Sequence, residues 1–203
     1  MHWPVSLPPD TGAEYGKEDR TKHDPSWTFV DTWREMEKLL ATGKTKAIGV
    51  CNFSTVNLDK LLQSATITPA VNQTEIQPLL PQDKLHQYCK DKGIVQTAFG
   101  PLGGSQSGGS LHTHPVITSI AQAHNTGTAN VMLSWAVQRG WSVVPKSTTP
   151  ARIAQNLQGN VILTPDEMAQ IDGMAKSPNK GKRFNVPQWG VTIFHDDEGI
   201  DLE

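Results

Sequence analysis

The chain is 203 residues long, with 18 basic and 20 acidic residues and a formal net charge of −2. That length can bury a full core, so one domain is expected, and the balance of charge argues against bulk binding to nucleic acid or to an anionic membrane. Hydrophobic residues make up 36% and charged residues 19%, low for a globule, but 17 glycines and 14 prolines point to many loops rather than to disorder.

The start, Met1 to Pro9, has neither the basic region nor the apolar core of a signal peptide. No run approaches the ~18 apolar residues of a membrane span. Cys51 and Cys89 lie far apart and in no metal-ligand spacing, which suits a reducing compartment. A cytoplasmic protein is the default expectation.

Residues 6–25 are polar and turn-rich, with Pro8, Pro9, Gly12 and Gly16, and read as a long loop. Phe29, Trp33, Met36 and Leu40 then recur at helical spacing, closed by Gly43 as a C-terminal cap. A strand is expected over Lys46 to Val50. Ser54 caps a second helix carrying Leu58, Leu61, Leu62 and Ala65. A strand from Ala70 to Ile76 follows, then a helix with Leu85, Tyr88 and Cys89, then a strand from Ile94 to Ala98.

Residues 100–110 form a glycine-rich loop. Pro115 opens a helix through Ile117, Ile120 and Ala121, and a further helix starts at Thr128 with Val131, Met132, Trp135 and Ala136 on one face. Trp141 to Pro145 reads as a buried strand. Thr164-Pro165-Asp166-Glu167 forms a capping box before Met168, Ile171 and Met174. From about residue 176 the chain is irregular, with Phe184, Trp189 and Phe194 and an acidic end, Asp196 to Glu198, read as solvated.

The segment from Val143 to Arg152 carries the most chemistry. A strand runs into Lys146, Ser147 and Thr149, and Pro150 suits the first position of a helix capped by Thr149. The free N–H groups of that helix start face the strand tip. Lys146 adds a point charge, Ser147 a hydroxyl and Arg152 a planar fork suited to a phosphate. A basic surface loop is the plain alternative.

Strand and helix alternate throughout, as in a parallel sheet buried on both faces. The C-terminal strand edges carry His2, Cys51-Asn52, Asn72-Gln73-Glu75, Phe99-Gly100 and Lys146-Ser147. In parallel barrels that edge holds the active site.

Five segments, His2-Trp3-Pro4, Gly43 to Ser54, Asn72 to Glu75, Phe99 to Gly103 and Pro145 to Asn156, fall in one order along nearly the whole chain. On these the chain resembles the aldo-keto reductases, of the fungal type. The resemblance implies an α/β fold of the (β/α)8 TIM-barrel family. Here it would be a partial barrel of about five strand positions, lacking the first three strands and beginning at the tip of the fourth. Residues 1–203 would then form one N-terminally truncated, NADP-dependent oxidoreductase domain, with 176–203 as its irregular tail.

The resemblance also implies roles. His2 matches the catalytic histidine that orients the carbonyl. The family's tyrosine, lysine and aspartate would lie upstream of Met1, and neither Tyr15 nor Tyr88 sits in a matching motif. Cys51, Asn52 and Gln73 correspond to the grip on the nicotinamide carboxamide, with a thiol at Cys51 where serine is usual and hydrogen bonding is stronger. Asn52 and Gln73 could equally tie down loops. Phe99 keeps an aromatic face for stacking on the nicotinamide. Gly100, Leu102 and the glycines after them would approach a pyrophosphate, or simply form a flexible loop. Lys146, Ser147, Thr149 and Arg152 suit the 2′-phosphate of NADP(H). Gln155 and Asn156 correspond to the pair that holds the adenine, or to an ordinary helix face. Trp3 and Trp189 would line an apolar substrate pocket. His112 and His114 have metal-like spacing but no third ligand nearby, so no metal is expected.

The function implied is NADP(H)-dependent reduction of aldehydes or ketones to alcohols, or the reverse, on a small-molecule substrate. No nucleic acid or membrane partner is expected, and the open sheet edges of a partial barrel invite pairing with another chain. The alternative is a non-catalytic remnant that binds NADP(H) or a partner.

Overall fold

The computed structural model describes residues 1–7, 23–104, 107–176, 181–187 and 190–197. Helices and strands alternate as α1 (Phe29–Leu40), β1 (Val50–Cys51), α2 (Thr55–Leu62), β2 (Val71–Glu75), α3 (Asp83–Asp91), β3 (Val95–Phe99), α4 (Pro115–Ala123), α5 (Thr128–Gln138), β4 (Ser142–Val144), α6 (Pro150–Gln158) and α7 (Pro165–Asp172). Sheet order is β1-β2-β3-β4. Val50 pairs with Asn72 and Cys51 with Gln73, and Thr97, Ala98 and Phe99 pair with Ser142, Val143 and Val144, all parallel. The fold class is α/β, as the alternation predicts. No helix among the described residues is long and apolar enough to cross a membrane.

The chain forms two compact units. The first comprises Met1–Gln73, Asp83–Val95 and the tail from Pro187. Its core is built by α1, α2 and α3 around Phe29, Trp33, Ile48, Phe53, Leu58, Leu61, Leu85 and Cys89. α1 starts here because Thr28 and Asp31 form a capping box. The Phe29 and Phe53 rings meet edge to face at 5.2 Å, and the Trp33 indole N–H donates to the Ile67 carbonyl at 3.1 Å. Each such side chain, taken out of water, contributes roughly 1.5–3 kcal/mol.

The second unit comprises Thr74–Gln82 and the described residues between Gln96 and Val186. Ile117, Ile120, Val131, Met132, Trp135, Ala136, Ile171 and Met174 fill its core. Those apolar positions were set out by the 3.6-residue period of α4, α5 and α7. Trp135 lies edge on to Trp141 at 5.3 Å, and its N–H donates to Asp172, which Arg139 also pairs.

Three expectations are corrected. The strand expected over Lys46 to Val50 begins only at Val50. Gly49 passes so close to β2 that a Cβ there would lie 2.8 Å from the Val71 carbonyl oxygen, and the approach to it is a single hydrogen bond from Ala70 to Ile48 rather than a ladder. The strand at 141–145 is not buried throughout. Trp141 and Val143 face the core, but Ser142 and Val144 alternate to the other face, where Val144 is 48% exposed. Finally, Asp197 is buried, and Asp196 is half-buried with its side chain only 6% exposed, rather than solvated. The tail binds the start of α2: Asn57 donates to the Ile193 carbonyl, His195 Nδ1 meets the Ser54 hydroxyl at 3.0 Å, and Thr55 donates to Asp196. Glu198 and Trp189 lie outside the described residues.

Candidate functional site

The second unit carries a cleft of about 910 Å³. Four elements build it. The chain leaves β3 at Gly100, whose φ of +59° turns it sharply, and continues through Pro101 and Leu102 along one wall. His112 and the start of α5 form a second wall. The end of β4 supplies Lys146 and Ser147, and α6 supplies Arg152, Gln155 and Asn156. The strand-to-helix turn at 145–150 thus presents its polar side chains where its sequence predicts.

The glycine-rich loop is more closely packed than a free connection. A Cβ at Gly103, where φ is +81°, would come within 2.9 Å of Ser107 and 2.8 Å of Leu111. Only glycine fits both that backbone and that space. The turn is held by Gly103 donating to the Gly100 carbonyl and by the Ser107 hydroxyl donating to the Gly104 carbonyl.

Two helices start on this cleft, and neither is capped by a side chain. The N-cap of α5 is Gly127 and that of α6 is Thr149, and neither makes a side-chain cap hydrogen bond. The sequence places Thr149 correctly, but its hydroxyl does not cap; the Ser147 hydroxyl accepts from the Thr149 N–H instead. By contrast α1, α2, α4 and α7 are capped by Thr28, Ser54, His114 and Thr164. The orphan N–H groups and positive dipole ends of α5 and α6 are therefore available to an anion. Among the lining residues are Lys146, Arg152 and His112 but no carboxylate. The Asn130 side chain, buried at the cleft wall, donates to the Gln155 carbonyl at 2.8 Å and ties α5 to α6.

Gly100, Leu102, Lys146, Ser147, Thr149, Arg152, Gln155 and Asn156 thus line one cleft. Phe99 ends β3 in the same unit, half-buried, its carbonyl accepting from Ile76. His112, Gly127, Thr128 and Asn130 also line the cleft. The sequence marks His112 only as half of a metal-like pair and Thr128 only as a helix start, and neither signal says what the residue faces.

The first unit holds the other candidates, His2, Trp3, Cys51, Asn52 and Gln73. The rings of His2 and Trp3 lie 5.5 Å apart, and Trp3 meets Phe194 edge on at 6.3 Å. Asn52 has a φ of +63° and is 2% exposed. Its N–H donates to the Gln73 carbonyl and its Nδ2 to the His2 carbonyl and Cys51 Sγ, but its Oδ1 is buried with no hydrogen-bond partner. An orphan buried acceptor in a strained backbone is costly and calls for a ligand donor. Burial pushes the Cys51 thiol up to about 11, so it stays protonated. Tyr88 donates its hydroxyl to Asp59, and burial with that carboxylate pushes its acidity the same way. Among the described residues no three His, Cys, Asp or Glu side chains gather as a metal site.

The profile of the Aldo/keto reductase family matches residues 2–176. A glycerol 2-dehydrogenase (NADP(+)) of Saccharomyces cerevisiae is 45% identical over 202 residues, covering 93% of this chain and 62% of that protein. A D-galacturonate reductase of Hypocrea jecorina is 39% identical over 209 residues, covering 98% and 65%. Among solved structures, an aldose reductase from Giardia lamblia superimposes with a TM-score of 0.86 at 36% identity, covering 96% of this chain and 66% of that one. The chain spans about three fifths of the length of the curated relatives it matches.

Proposed function

The chain belongs to the aldo/keto reductase family, and from that membership we propose that it binds NADP(H) and serves the reduction of aldehydes or ketones to alcohols, or the reverse. Its four parallel strands form part of the family's (β/α)8 barrel. The observation that carries the proposal is the anion-seeking cleft of the second unit, with its cations, its uncapped helix starts and its lack of carboxylates.

The donor set suits the cofactor. Lys146, Ser147, Thr149 and Arg152 would hold the 2′-phosphate, and Gln155 and Asn156 the adenine. Gly100 and Leu102 would lie along the pyrophosphate, and Phe99 would stack on the nicotinamide. Asn52 Oδ1, now without a donor, would accept from the carboxamide N–H, with Gln73 and Cys51 beside it. Bound NADPH supplies the hydride. His2 would orient the carbonyl, and Trp3 and Trp189 would give the substrate an apolar wall. The same reading makes residues 1–203 one cytoplasmic oxidoreductase domain with 176–203 as its tail.

A second reading, cofactor binding without turnover, is favoured by Tyr88. It is the one tyrosine among the described residues, and its hydroxyl is engaged with Asp59 and held away from proton donation. Both readings are tested by fluorescence titration with NADPH and NADH, followed by NADPH consumption with a panel of small aldehydes and ketones. Tight NADPH binding with turnover supports the first, and tight binding with background turnover supports the second. Failure to bind NADPH overturns both.

A further inference from the structure

His112 stands out as the one imidazole among the described residues lining the cleft. It is half-buried among the residues that line the cleft, and its Nδ1 lies 2.9 Å from the hydroxyl of Thr128, the first residue of α5. That bond persists in every protonation state. Thr128 donates when Nδ1 is bare and accepts when Nδ1 carries a proton. The Nε2 nitrogen makes no hydrogen bond to any described residue, so protonation there changes what the imidazole offers the cleft and nothing else.

The charges that face it are of one sign. Arg152 comes from α6 and Lys146 from the end of β4, while among the described residues no Asp or Glu lines the cleft. On its own segment the nearest titratable group is His114, whose Nδ1 is occupied by the Val116 N–H as the cap of α4. Burial, and then the Arg152 charge, hold His112 below the ordinary imidazole range. A phosphate entering the cleft reverses that field. Its negative charge offsets Arg152 and favours the imidazolium.

Resting on the NADP(H) reading above, we propose that His112 is a further phosphate ligand of the cleft, taking one proton from solvent on binding and donating it as an Nε2–H hydrogen bond to a phosphate oxygen. The histidine is then the group that links cofactor affinity to pH. Its proton affinity is higher in the complex than in the free protein, so binding tightens as pH falls through the histidine range, by at most about tenfold per pH unit. The second ionisation of a phosphomonoester, near ~6, works in the opposite direction, so the comparison must be between variants at the same pH.

The test is calorimetric titration of the wild type, His112→Gln and His112→Lys with NADPH and with NADH, between about pH 6 and 8, in two buffers of different ionisation enthalpy. Glutamine keeps a partner for Thr128 but cannot take up the proton, and lysine carries its charge throughout. The wild type should absorb a fraction of a proton on binding. Its affinity should rise several-fold toward pH 6 relative to His112→Gln, which should absorb none. His112→Lys should bind tightly, its pH dependence reduced to that of the phosphate's own ionisation. Uptake with NADPH alone assigns the contact to the 2′-phosphate, and equal uptake with NADH assigns it to the pyrophosphate. Identical proton uptake and pH profiles in wild type and His112→Gln overturn the proposal. Absence of binding by the wild type at every pH overturns the NADP(H) reading, and this inference with it.

Discussion

Thr55 gives both its backbone N–H and its hydroxyl to the carboxylate of Asp196, each at 2.6 Å. Thr55 is the first residue of α2, so the carboxylate sits at the positive end of that helix and takes up a donor the helix cannot satisfy itself. The neighbouring cap hydroxyl of Ser54 accepts from Asn57 and meets His195. The Lys84 ammonium adds a charge at 3.3 Å, but it is 70% exposed and contributes little.

Replacing Asp196 by alanine is expected to cost the fold about 2 kcal/mol, since hydrogen bonds to a charged group are worth more than neutral ones. Asp196→Asn should cost less, because an amide oxygen still accepts. Urea unfolding followed by tryptophan fluorescence checks the order. Equal midpoints for all three chains would remove the anchoring role of the carboxylate.

Arg152→Ala should weaken NADPH far more than NADH. A charged hydrogen bond to phosphate contributes roughly 1.5–3 kcal/mol, or about 10- to 100-fold in affinity. Parallel titrations with the two cofactors measure the difference. Equal losses would mean that Arg152 does not contact the 2′-phosphate.

Glu75 is 2% exposed and accepts the backbone N–H groups of Phe184 and Asn185, one on each oxygen at 2.9 Å. A buried carboxylate satisfied in this way pins that stretch of tail. Glu75→Ala should lower stability by about 2 kcal/mol and leave two donors unpaired. It should also speed hydrogen exchange of the Phe184 and Asn185 amides by roughly tenfold or more. Unchanged exchange at these two amides, in a variant that folds, would contradict the assignment.

Cys51 and Cys89 are both pushed up to about 11 by burial. An unfolded thiol ionises near ~8.5. The folded chain therefore holds protons that the unfolded chain releases between these values. Their contribution to stability is complete below about pH 8.5, falls as pH rises, and is lost by about pH 11. Denaturant midpoints across that range should decline less steeply in a Cys51→Ser, Cys89→Ala variant. Parallel slopes would show that the thiols do not govern the alkaline limb.

Helices were legible because their cores and caps are local. The positions of Trp33, Leu61, Ile117, Trp135 and Ile171 follow from the helical period, and the Ser54 cap and the Thr164 capping box from spacing of four residues or fewer. The turn from Lys146 to Arg152 was legible for the same reason. Strand limits were not, because Gly49 is set by the approach of Val71 and the exposure of Val144 by which face is covered. His112 stands in the sequence only as half of a metal-like pair, and Asp196 as a solvated residue, for a related cause. An imidazole beside Thr128, or a carboxylate on a helix start 141 residues away, is a property of the folded chain that no window of sequence contains.

The tail's attachment to α2 also orders events during synthesis. A ribosome delivers the chain from its amino end, so Thr55 emerges when Asp196 is still 141 residues from being made. Every element of the second unit, β3 past Val95 through α7, is released in between. The second unit can therefore fold as a nearly continuous stretch while the first waits, its α2 start still open to water, for a contact of very high sequence separation. Such contacts form late and slowly, since a long loop must close before it is rewarded. The nascent first unit is thus the part of this chain exposed longest to proteases and chaperones, and it becomes whole only once the segment carrying Asp196 has emerged.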